Sequence, residues 1–248
     1  IYQKSKLQGL QEVNKNRSFI NLFEELKLIC NKIAGSGSKT NFEVDRASDR
    51  NFIIKRNKRF INQIKDIRNL LQHPSHEKPY DAFEVSQQLV DDLAELIKIL
   101  KNPKKASDIC VPLNQIYSIA EGSRVIDATG TMQKNNFTHV PIIDADSKVV
   151  GVFSENSLFS YFCSDDIIDA GESLLIRDIM QFCSMEHRTE TFKFIKPNTD
   201  IERVYDLFTS IENPNRRVGA LFITASGKRN DRLTGLITAW DILSNIVD

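Results

Sequence analysis

The sequence predicts an α+β protein: an N-terminal α-helical bundle followed by two β-α-β-β-α units packed as a pseudo-symmetric pair. Three observations predict it. Apolar residues recur at helical spacing up to about residue 100. The stretch KNPKK at 101–105 is polar and contains proline, which marks a boundary. Beyond it, short β-rich runs alternate with helical ones, and the pattern repeats. The expected domains are therefore 1–105 and 106–248, the latter divided into 106–176 and 177–248.

In the first region, Leu7, Leu10 and Val13 predict a short helix. A second follows from Phe19, Leu22, Phe23, Leu26, Ile29, Cys30 and Ile33, and it ends at the GSGS of 35–38. The third stripe, Ile53, Phe60, Ile61, Ile64, Ile67 and Leu71, stops before Pro74, because the residue preceding a proline disfavours the helical conformation. Phe83, Leu89, Val90, Leu93, Leu96, Ile97 and Leu100 predict a fourth. Four amphipathic helices with modest loops form a small bundle.

In the second region, THVPIIDADSKVVGVFS reads as a strand, a turn at Ala145 to Lys148, and a strand reaching Ser154. GALFITASGKRNDRLTGLIT has the same form with a longer tip. SRVIDATGTM from Ser123 parallels ERVYDLFTSI from Glu202, an offset of 79 at Val125/Val204; GVFSENSLF parallels GLITAWDIL, an offset of 84 at Gly151/Gly235. The difference is assigned mainly to the longer hairpin tip.

Charge is balanced overall but not along the chain. Residues 1–105 carry 20 Lys+Arg against 13 Asp+Glu, and residues 106–248 carry 13 against 20. The first half is thus suited to a polyanion, unless the two halves simply attract each other. No run of about 18 apolar residues predicts a transmembrane helix. Cys30, Cys110, Cys163 and Cys183 are widely spaced without a C-x-x-C pair, as expected of buried free thiols in a reducing cytoplasm.

Two resemblances carry functional content. GLITAWDIL resembles the G-h-h-T-x-x-D-h-h signature of CBS domains (h, apolar), HVPIID with SKVVGV resembles the preceding hairpin, and IRDIM at 176–180 resembles the segment introducing the second copy of tandem CBS (Bateman) modules. The resemblance covers roughly Ser107 to Asp248. Thr238 ends a strand and Asp241 begins a helix, where a hydroxyl and backbone amides can hold a phosphate and a carboxylate can accept ribose hydroxyls. The resemblance implies these roles for Thr238 and Asp241, and an adenine nucleotide (AMP, ADP or ATP class) as regulatory ligand; the alternative is a helix-capping pair without ligand. Lys196, Arg217 and Val218 are expected to line the same crevice. In the first copy Ser154 replaces the threonine and Ser157 the aspartate, so that site is expected to be weak, empty or differently selective.

RNLLQH at 68–73 resembles the R-N-x-x-x-H motif of HEPN domains, helical bundles that include many ribonucleases. The resemblance implies Arg68, Asn69 and His73 as a catalytic set needing no metal. Histidine can act as base or acid, and arginine can stabilise charge on a phosphoryl group. Asn69 and His73 lie about 40° apart on a helix and Arg68 about 140° from His73, so these two converge only if His73, before Pro74, leaves helical geometry or a second chain completes the cleft; the resemblance to HEPN enzymes implies the latter. Lys55, Arg56, Lys58, Arg59 and Lys65 are candidates for tracking an RNA backbone. The alternative makes Arg68 a structural arginine paired with Asp66 or Glu77, and His73 a helix C-terminal residue.

GSGSKT at 35–40 lacks the glycine before lysine and a preceding strand, so it is no phosphate loop. His73 and His76 have no convincing third metal ligand. The sequence thus leads to a cytoplasmic homodimer, without membrane segment, in which a nucleotide controls a HEPN-type endoribonuclease acting on RNA. The alternative is a noncatalytic nucleotide-binding regulator whose helical bundle dimerises or holds a partner.

Overall fold

A computed structural model of the chain describes residues 2–37, 41–72, 84–164, 173–186, 189–210 and 214–247, with backbone alone at 2–14, 72 and 244–247. It divides into two units, Ile1–Pro103 and Lys104–Asp248. Among the described residues no helix is long and apolar enough to cross a membrane.

The first unit is helical: α1 (Tyr2–Ala34), α2 (Val44–Ser48), α3 (Phe52–Arg56), α4 (Lys58–Gln72) and α5 (Gln87–Lys101). The predicted apolar stripes from Phe19 onward meet in one core, in which Phe19, Leu26, Cys30, Ile54, Ile61, Ile64 and Leu93 are fully buried; the side chains of Leu7, Leu10, Val13 and Phe83 lie outside the described residues. Two helix boundaries differ from expectation. The first two predicted helices are one, because the polar stretch Asn14 to Ser18 contains neither glycine nor proline to break it. The third is divided at Asn57, whose side-chain Nδ2 donates to the Ile53 carbonyl at 2.8 Å and competes with the helical ladder. Asn51 opens α3 by accepting from the Ile54 N–H at 2.9 Å. Arg50 closes the C-terminus of α1, donating to the Ala34 carbonyl at 2.8 Å.

The second unit runs α6 (Ala106–Ile109), β1 (Val111–Pro112), α7 (Val125–Asn135), β2 (His139–Ile143), β3 (Val149–Ser154), α8 (Glu155–Phe162), a 3-10 segment (Ile176–Phe182), β4 (Glu190–Ile195), α9 (Ile201–Thr209), β5 (Arg217–Thr224), β6 (Leu233–Thr238) and α10 (Ala239–Val247). Its strands form a sheet of order β1-β6-β5-β4 and the antiparallel pair β2-β3, to which Ile119 adds a parallel bridge at Ile142.

The repeat is real, but its helical part is offset by 76 residues, not 79. Ile119 bridges Ile142 in parallel as Ile195 pairs with Ile223, and Val125 opens α7 as Ile201 opens α9. The second copy therefore has its extra length both between α9 and β5 and at the hairpin tip. A slip of three residues turns a helix by only about 60°, which leaves its apolar face almost unchanged and hides the error.

The segments that introduce the two copies are crossed. β1, which precedes the first copy, pairs with β6 of the second through Val111/Leu236 and Pro112/Gly235. The 3-10 segment that precedes the second copy buries Ile176 and Ile179 in the core of the first, and the Cys183 carbonyl accepts from Val152 N–H at 2.9 Å. Gly151 and Gly235 make room for this: a Cβ would meet the Cys183 carbonyl oxygen at 2.7 Å in one case and Cys110 Sγ at 2.8 Å in the other.

Candidate nucleotide site

β6 delivers Thr238 to the end of the sheet, and α10 starts at the next residue. Thr238 donates twice to Asp241 Oδ2, through its backbone N–H and its hydroxyl, each at 2.7 Å. Both residues are half-buried, so the carboxylate and the first turn of α10 remain open to solvent on one side. A carboxylate fits the positive end of a helix. Its negative charge also reaches Cys110, whose thiol is pushed up by burial first and by Asp241 and Asp108 after it.

The corresponding pair in the first copy is closed. Ser154 and Ser157 are 3% and 1% exposed. Each backbone N–H donates to the other hydroxyl, at 3.2 and 3.3 Å, and Ser157 Oγ donates to the Val152 carbonyl at 3.3 Å. A neutral, buried, mutually satisfied pair offers a ligand neither charge nor access.

Register places the remaining candidates. Thr238 lies opposite Ala220 on antiparallel β5, so Arg217 and Val218 share its end of the sheet. Lys196 does not. β4 runs parallel to β5, with Glu190 opposite Arg217 and Ile195 opposite Ile223, so Lys196 follows the far end of the strand. Over the six residues of β4 that is roughly 20 Å from Arg217. The expected shared crevice therefore loses Lys196: in a β-α-β unit the two strands run parallel, so the residue that ends the first and the residue that opens the second lie at opposite ends.

Residues 106–164 and 185–248 each match the CBS domain family. The second unit is a tandem CBS domain pair. Among solved structures, CBSX2 in complex with AMP is similar at 16% identity and TM-score 0.44, covering 58% of this chain and 96% of that one. The CBS domain of the bacterial CNNM/CorC family Mg2+ transporter in complex with ATP is similar at 16% and 0.39, covering 58% and 87%. The CBS domain pair of protein MJ0100 in complex with 5'-methylthioadenosine and S-adenosyl-L-methionine is similar at 14% and 0.41, covering 58% and 97%. No curated protein matches the sequence.

Sequence reasoning missed two features of the CBS pair. His139, at the start of β2, lies against the second copy: Nε2 is 3.1 Å from Glu190 Oε1, its ring meets Phe192 edge-on at 5.6 Å, and a Cβ on Gly219 would come within 2.9 Å of it. Only its position in THVPIID hinted at this, because the partner lies 51 residues away. Trp240, between Thr238 and Asp241, is 73% exposed. The lone tryptophan in GLITAWDIL reads as part of the apolar pattern, and nothing in that pattern marks it as a surface residue.

A HEPN-like domain is not shown for the first unit, and the resemblance rests on RNLLQH. Arg68 donates through Nη2 to Glu24 Oε1 at 3.0 Å and through Nη1 to Asn69 Oδ1 at 3.4 Å, and its guanidinium lies 5.5 Å from the Phe23 ring centre. Its side chain is 22% exposed. Arg68 is thus paired with Glu24, from the neighbouring helix α1, a partner the sequence does not suggest. His73 lies outside the described residues, as do Glu77 and His76. Lys55, Arg56, Arg59 and Lys65 are exposed on α3 and α4, whereas Lys58 is paired with Asp45 at 2.6 Å. That pairing holds the Asp45 carboxyl below its ordinary range.

Proposed function

We propose that this protein is a noncatalytic regulator whose CBS pair binds one adenine nucleotide at Thr238 and Asp241, while the helical unit dimerises or holds a partner. The observation that carries this reading is the contrast between an open, charged Thr238–Asp241 pair and a closed, neutral Ser154–Ser157 pair. On binding, the ribose hydroxyls become donors to Asp241, and the Thr238 hydroxyl, released, turns to a phosphate oxygen beside the first amides of α10. Arg217 and Val218 stand at the same end of the sheet. The ligand regulates by favouring one arrangement of the chain over another.

Exposed apolar residues support the homodimer. Phe159 and Phe162 on α8 and Trp240 and Leu243 on α10 occupy corresponding helices of the two copies. The endoribonuclease reading has less behind it, since the guanidinium of Arg68 is engaged by Glu24 and Phe23.

Calorimetry in the presence of a chelator tests the reading, with adenine and guanine nucleotides compared. Trp240 fluorescence provides a second readout beside the site. One adenine nucleotide per chain is expected. Asp241→Ala should weaken it at least tenfold, and Ser157→Ala should leave it unchanged. An affinity unaltered by Asp241→Ala overturns the assignment.

A further inference from the structure

The tip end of the second copy holds a cleft of about 410 Å3 between the end of β4, the start of α9 and the β5-β6 turn. Lys193, Lys196 and Arg203 line it, with Thr199 and Ser226 between them. Such a volume suits a small molecule. Gly227, at φ +74°, brings the turn onto the floor of the cleft, where a Cβ would lie 3.3 Å from Lys196 N. Of the carboxylates around it, Asp200 pairs with Lys105, Asp231 accepts from both the backbone N–H and the hydroxyl of Ser226, and Glu202 and Asp206 flank Arg203 on α9.

The first copy has a cleft at the same place, lined by Ser118, Ile119 and Ala120 and by the acids Glu121 and Asp144. By the pairing described above, Lys193, Lys196 and Arg203 correspond there to Tyr117, Ala120 and Asp127. The fold therefore supplies the cleft twice, and three cations converge in only one of them. A generally basic surface would not concentrate them so.

We propose that this cleft is a second anion site, specific for a diphosphate group carried by a small molecule and separate from the Thr238–Asp241 site. Three cations face the negative charge of a pyrophosphate, and the Thr199 side chain lies where its oxygens would be. Both sites lie within the CBS pair, at opposite ends of the same sheet, so one ligand does not span them.

The test is calorimetric titration of the full chain with inorganic pyrophosphate, and with sulfate at equal ionic strength. Saturable pyrophosphate binding is expected, with Lys196→Ala plus Arg203→Ala weakening it about a hundredfold. Both residues are exposed, and an unchanged melting curve verifies the fold of the variant. Asp241→Asn should leave pyrophosphate binding intact, which keeps this test independent of the nucleotide reading. ADP, added to the Asp241→Asn variant, should compete with pyrophosphate and thus identify a nucleoside diphosphate as one carrier of the group. Absence of saturable binding, an equal response to sulfate, survival of binding in the double variant, or its loss in Asp241→Asn overturns the proposal.

Discussion

Replacing Arg68 by alanine separates a structural from a catalytic role for the RNLLQH stretch. The substitution removes a half-buried ion pair with Glu24, a cation lying over the ring of Phe23, and the aliphatic stem between them. A pair of this kind contributes up to about 1 kcal/mol and the ring contact about 0.5 to 1; with the packing of the stem, the loss comes to about 2 kcal/mol. Urea unfolding followed by far-UV circular dichroism reports it, since the first unit is mostly helix and Trp240 lies in the other unit. A double-mutant cycle with Glu24→Gln should return a coupling of about 1 kcal/mol. In parallel, labelled RNA incubated in chelator should be cut no faster by the parent than by Arg68→Ala or His73→Ala. A variant within about 0.5 kcal/mol of the parent, combined with cleavage abolished by both substitutions, would refute the structural reading and restore the enzyme.

Other expectations can be checked with similar means. Gly151→Ala should destabilise by about 2 to 3 kcal/mol in thermal or urea unfolding, because its Cβ meets a backbone carbonyl; Gly235→Ala should cost less than about 1, because the Cys110 side chain can rotate away. Ser157→Asp should not create a second nucleotide site, and should cost about 3 kcal/mol by placing a carboxylate in a buried position beside the Val152 carbonyl. Glu202 has its carboxyl pushed up, by burial first and then by Asp200 and Asp206, so the stability tied to its protonated form is lost as pH rises through the raised value. Glu202→Gln should therefore melt higher than the parent at pH 7.5, with the difference closing as pH falls below about 4. With a disulfide reagent at pH 8, exposed Cys163 should react first and Cys110 more slowly; Cys30 and Cys183, whose thiols burial pushes up to about 12, should react only after unfolding.

The legible parts of the fold were those set by local periodicity. The stripes from Phe19 to Ile33 and from Leu89 to Leu100 became buried helix faces, and the alternation in HVPII and VVGVFS became a hairpin. The 79-residue offset went wrong because helical repeats tolerate a three-residue slip, whereas the strand register at Gly151 and Gly235 does not. Partners far apart in sequence stayed invisible. Glu24 lies 44 residues from Arg68, and nothing near either residue announces the other. β1 has only two residues, too few for any pattern to say which strand it joins. Lys196 is a different case: the predicted β-α-β unit already makes its two strands parallel, which puts Lys196 and Arg217 at opposite ends of the sheet.

The crossed lead-in segments give the chain an order of mechanical contact that differs from its order of sequence. The stretch that follows Pro103 first bridges Asp200 through Lys105 and then runs along β6 of the second copy, where Val111 pairs with Leu236, two residues before Thr238. The lead-in is therefore anchored on the second copy, including the strand that ends in the Thr238–Asp241 pair, before the chain enters the copy that comes next in sequence. Cutting the chain between the copies would strip each of the segment that completes the other. What duplicated as two pieces can only be assembled, and disturbed, as one.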